Sequence, residues 1–96
     1  MEIKEFIYDL SDYTGWAERE DEYSDVAVFM SNMLYTIKRI RTEDTMAAYI
    51  EWKANRIERC LNGTQDTHID TESLYVMRYI MQVIIQKLRH INTRRR

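Results

Sequence analysis

Two pairs of carboxylates stand at i, i+3 spacing, Glu2 with Glu5 and Glu22 with Asp25, which brings both members of a pair to one face of a helix. Sixteen residues separate the pairs. If their two helices lie antiparallel, the pairs meet across the interface, and four facing carboxylates repel unless divalent cations lie between them. Magnesium suits such a site, because it takes carboxylate oxygens and leaves positions to water and to substrate phosphates. The chain holds sixteen acids in 96 residues, so composition alone also generates such pairs. Glu22 falls on the face that carries Val26, Phe29 and Met33, where an unpaired charge is costly. A competing arrangement starts this helix later, near Ser24, and leaves Glu18 to Glu22 as an acidic cap favoured by the helix dipole. On spacing alone the later start is favoured.

Other chemistry-bearing residues give weaker signals. Lys53 and Arg56 share a helix face at i, i+3, which fits either a phosphate contact or a solvated surface, the commoner use. His68 and His90 have no partner at ligand spacing, so both read as surface residues. Cys60 reads as a packing residue, and Trp16 and Trp52 as core or interface anchors. The two glycines are isolated, which excludes a glycine-rich phosphate loop.

These residues depend on helices for their placement. Ile3, Phe6, Ile7 and Leu10 give a first helix over about 2–13, stopped at Thr14-Gly15 and bordered by an acidic stripe. Val26, Phe29, Met30, Met33, Leu34, Ile37 and Ile40 mark a second, over about 18–41. A third, 43–61, starts from Thr42 as N-cap, carries Met46, Ile50, Ala54, Ile57 and Leu61, and stops at Asn62-Gly63. A fourth, 71–91, has Asp70 as cap and Ile69 stapled on Leu74. Its seam of Leu74, Met77, Met81, Ile84, Leu88 and Ile91 is flanked by a second strip, Val76, Ile80 and Val83. So much apolar surface makes this helix either central or shared between subunits. The fold class expected is all-α, a four-helix bundle-like single domain over residues 1–96.

Composition agrees. The chain has no proline, two glycines, 45% hydrophobic and 31% charged residues, which excludes collagenous, low-complexity and disordered classes. One cysteine excludes an internal disulfide and a multi-thiolate zinc site, and makes a reducing, cytoplasmic setting the expectation. The acidic start lacks the features of a secretion signal, and the longest uncharged run, Val26 to Ile37, is too short to span a membrane. Charge is lopsided: Met1 to Asp25 balances at −7 and the remainder at +5, for a net −2. The basic end, with Lys87, Arg89, Arg94, Arg95 and Arg96, is a weak nucleic-acid signal in a chain that is acidic overall and shows no recognition motif.

The wording of two segments adds a resemblance. Glu22-Tyr-Ser-Asp25-Val26 followed by an apolar run resembles the second acidic helix of the MazG-like all-α nucleoside triphosphate pyrophosphohydrolases, and Glu2-Ile-Lys-Glu5-Phe6 resembles the first. The stretch from Trp52 to Arg59 is similar to their Lys/Asn/Arg-bearing helix, so the resemblance covers about residues 1–63. It implies that Glu2, Glu5, Glu22 and Asp25 hold Mg2+, with Glu22 and Asp25 at the catalytic centre. Lys53, Asn55 and Arg56 would then stand near the phosphates of a nucleoside triphosphate. A metal-held water would release pyrophosphate and a nucleoside monophosphate. A relative that keeps the fold without the catalysis is included in this expectation. Helix 71–91 lies outside the resemblance, and its apolar surface makes a homo-oligomer formed through it a separate expectation.

The alternative is a small non-enzymatic helical protein, of phage or mobile-element type, that binds and regulates a macromolecular partner. Its short length, separated acidic and basic ends and apolar fourth helix motivate this reading.

Overall fold

The computed structural model describes the backbone of residues 2–94 and the side chains of residues 10–20 and 22–89. It is all-helical, with α1 at Glu2–Arg19, a 3-10 turn at Asp21–Tyr23, α2 at Ser24–Ile37, α3 at Glu43–Leu61 and α4 at Thr71–Arg94. Two helical hairpins, α1 with α2 and α3 with α4, pack together, and α4 touches all three other helices. Its central position follows from its wide apolar surface: Leu74, Met77, Ile80, Met81, Ile84 and Leu88 are all buried.

The third helix matches its expected limits because both ends carry cap chemistry. Thr42 is extended, and its hydroxyl accepts the Thr45 N–H at 3.2 Å, while Glu43 and Asp44 complement the positive end of the helix. At the other end Gly63 adopts φ 82°, and the N–H groups of Thr64 and Gln65 both turn back to the Arg59 carbonyl. The fourth helix starts as its sequence implies, with the Ser73 N–H donating to Asp70 Oδ2 at 3.4 Å and Ile69 half-buried against the core.

The first two helices differ from expectation. Thr14-Gly15 does not stop α1, because the Thr14 hydroxyl is buried and donates to the Leu10 carbonyl at 2.8 Å. With its polarity met inside the helix, Thr14 joins Leu10 and Ala17 on the buried stripe, and α1 runs on to Arg19. The second helix begins at Ser24 rather than near 18, as the acidic-cap arrangement requires. Glu20 is extended, Asp21–Tyr23 forms one 3-10 turn, and Trp16 stacks on Tyr23 with ring centroids 5.5 Å apart to close the corner. It also stops at Ile37 rather than near 41, where the Lys38 and Arg39 N–H groups bond to Leu34 and Thr36. Ile40 reaches the core from the following loop. No helix among the described residues is long and apolar enough to cross a membrane.

Candidate functional site

A cleft of about 300 Å³ lies where the start of α2, the middle of α3, the α3–α4 loop and the first turns of α4 converge. Buried Ile57, Leu74 and Met77 form its apolar part, and Asp25, Lys53, Arg56, Asp66 and His68 line it as charged or titratable side chains, with Cys60 beside them. The same side-chain periodicity that buries Ile57 places Lys53 and Arg56 together on this wall of α3, one turn apart. The loop is pinned by Arg59, whose Nε donates to Gln65 Oε1 at 3.2 Å and whose carbonyl holds Thr64 and Gln65. The Thr67 hydroxyl accepts the Ile69 N–H at 3.1 Å, which brings Ile69 back to the core.

Lys53 is half-buried, and aromatic rings rather than an acid surround its ammonium. Nζ lies 5.4 Å from the Phe29 ring centroid, 5.8 Å from that of Tyr49 and 5.3 Å from that of Trp52. Rings at this distance attract a cation through their quadrupoles without neutralising it. Burial, and then repulsion from Arg56, hold the Lys53 pKa below its ordinary value. Among the described residues no carboxylate stands within ion-pair distance of Lys53 or Arg56, whereas Arg78 pairs with Glu58 at 3.6 Å. Among the described residues the two adjacent cations have no bonded counter-ion; Asp25 and Asp66 also line the cleft, over an apolar floor. Such a place is suited to an anionic group with an apolar body.

The expected metal ligands are not gathered here. Asp25, half-buried in the first turn of α2, lines the cleft. Glu22 is exposed on the 3-10 turn and is not on the cleft wall, contrary to the expectation that it faces the apolar seam. Its charge acts at Tyr23, whose hydroxyl donates to Glu72 Oε1 at 3.4 Å. Partial burial and the fields of Glu72, Glu22 and Glu20 push the Tyr23 pKa up. Glu2 and Glu5 are side chains outside the described residues, but their backbone belongs to α1. Because α1 is continuous to Arg19 and α2 folds back beside it, about 20 Å of helix separates Glu5 from the turn that carries Glu22. The two pairs therefore sit at opposite ends of the α1–α2 hairpin. Among the described residues, no three of His, Cys, Asp and Glu converge into a metal-holding group. The backbone thus sets the two pairs apart, while the Glu2 and Glu5 carboxylates themselves lie outside the described residues.

The expected phosphate residues divide as well. Lys53 and Arg56 share the cleft, while Asn55 is exposed on another face of α3 and does not line it. Sequence reasoning missed the loop residues Gln65 to Ile69, the position of Cys60 on the cleft wall and the rings around Lys53. Tyr49 and Lys53 at i, i+4 were a usable signal for the last of these. The loop gave none, because its position depends on the α3–α4 packing. No family model, curated protein or solved structure matches the chain.

Proposed function

We propose that the chain binds the phosphates of a nucleotide in the α2–α3–α4 cleft, as a relative of the MazG-like pattern that keeps phosphate recognition without the four-carboxylate metal centre. The observation that carries this reading is the pairing of Lys53 and Arg56, two cations to which no carboxylate is bonded among the described residues, on a cleft with an apolar floor. Arg56 offers a planar fork to phosphate oxygens, and Lys53 offers a point charge held in place by three rings. The apolar side chains below them receive a base or sugar, and the loop at Gln65 to Ile69 borders that end. The backbone separation of Glu2 and Glu5 from Glu22 and Asp25 favours binding over magnesium-assisted hydrolysis. The test is a panel of ribo- and deoxyribonucleoside triphosphates, measured for both binding and release of pyrophosphate. Binding that weakens in Lys53→Ala and Arg56→Ala without turnover fits the proposal. Turnover abolished by Glu22→Ala would restore the hydrolase reading, and absence of binding would overturn both.

A second reading, a regulatory protein with a basic macromolecular partner, is favoured by the carboxylates Glu20, Glu22 and Glu72 grouped around Tyr23. It predicts a complex that weakens steeply with salt and is lost on reversing Glu22 and Glu72 to lysine.

A further inference from the structure

Along α3 the side chains around the cleft fall into three groups: Ile57 and Cys60 at the cleft end, Lys53 and Arg56 in the middle, and Tyr49 and Trp52 beyond them. Trp52 does not line the cleft, yet its indole is 51% exposed and its centroid lies 5.3 Å from Lys53 Nζ. It stands one turn before Arg56, about 6 Å along the helix axis, with the Tyr49 ring beside it at 6.2 Å. Along that axis the apolar floor and the open indole therefore lie on opposite sides of the cation pair. Asp25 and Asp66 line the same cleft, so the formal charges of its Lys, Arg and Asp side chains cancel. That balance suits a ligand group with one negative charge better than the several charges of a triphosphate.

We infer that the ligand of the cleft is two neighbouring nucleotides of a single strand. One base seats on the floor of Ile57, Leu74 and Met77, the phosphodiester lies on Lys53 and Arg56, and the next base stacks on Trp52. The inference rests on the nucleotide reading of the cleft and names its substrate class. A phosphodiester carries one negative charge and continues into a second nucleoside, so it uses both the charge balance and the indole. A triphosphate extended in the same direction sets its oxygens against an indole, which offers one N–H and no charge. Every base has a π-face, so an aromatic platform beside cations takes a strand with little regard to its sequence.

Isothermal titration of the full chain compares thymidylyl-thymidine with dTMP, and uridylyl-uridine with UMP. Each dinucleoside monophosphate carries less charge than its mononucleotide, so tighter binding of the former does not come from electrostatics. In at least one pair the Kd is expected to be about ten-fold lower for the dinucleotide. That gain is expected to vanish in Trp52→Ala and to persist in Trp52→Phe, with helical circular dichroism and the mononucleotide Kd unchanged in both. A second measurement does not depend on these variants: in Trp16→Phe, where Trp52 is the remaining indole, the dinucleotide is expected to quench fluorescence more than the mononucleotide at saturation. Equal affinities within both pairs, a gain that survives Trp52→Ala, or equal quenching would overturn the inference and leave the nucleotide cleft standing. Absence of binding by all four ligands would overturn both.

Discussion

In the proposed cleft Lys53 is the group whose environment sets a pH dependence with a definite sign. In the folded chain its pKa is lowered, by burial and then by Arg56, so in the absence of ligand the charged form costs stability below that pKa. The cost is relieved as pH rises through the lowered value and is gone above the ordinary lysine value of about 10.4. Anion binding has the opposite dependence, since it needs the ammonium. Affinity for a nucleotide is expected to fall with rising pH earlier than an unperturbed lysine would allow, and Lys53→Arg is expected to flatten the profile because a guanidinium stays charged. Isothermal titration at several alkaline pH values checks this, and an unchanged profile in Lys53→Arg would count against the role of Lys53. Removing either cation, as Lys53→Ala or Arg56→Ala, is expected to cost about 1.5–3 kcal/mol of binding, roughly ten- to a hundred-fold in Kd. Asn55→Ala, off the cleft, is expected to leave Kd unchanged.

Helix ends decide how far the placement of these residues follows from the sequence. The limits of α3 emerged complete because Thr42 and Asn62-Gly63 carry their own local chemistry, whatever packs around them. Thr42→Ala is therefore expected to lower stability by about 1 kcal/mol in urea unfolding. Gly63→Ala is expected to cost about 1–2 kcal/mol through its positive φ alone, since a Cβ there meets no atom within 4 Å. The α1–α2 corner was not readable in the same way. A threonine and a glycine spell a stop, but the bond from Thr14 to the Leu10 carbonyl cancels the signal once that face is buried. The corner is made instead by Trp16 on Tyr23, a contact that needs both helices in place. With α1 extended by this bond, the carboxylate pairs end up apart, so one hydroxyl changes the functional reading. Trp16→Ala is expected to loosen the corner and reduce stability by about 1 kcal/mol, read as a lowered urea midpoint.

Taken whole, the molecule is two hairpins joined by α4, measuring 39 × 30 × 20 Å. The helical class was evident from apolar periodicity, which left α4 either central or shared between subunits; in the chain its seam is buried against the other helices. The cleft was evident only in part, as Lys53 and Arg56, because the elements that complete it are brought together by tertiary packing. Met30 and Met81 are fully buried in the shared core, and either change to alanine is expected to cost about 2–5 kcal/mol, detectable as a lowered melting temperature. The central claim, a nucleotide-phosphate cleft on α3, is tested most directly by residue-resolved amide NMR on the labelled chain titrated with a nucleoside triphosphate, with and without magnesium. Shifts concentrated at Lys53, Arg56 and the loop from Gln65 to Ile69, and absent in the Lys53→Ala, Arg56→Ala double variant, are the predicted result. Shifts confined to the ends of α1, or none at saturating nucleotide, would contradict the account.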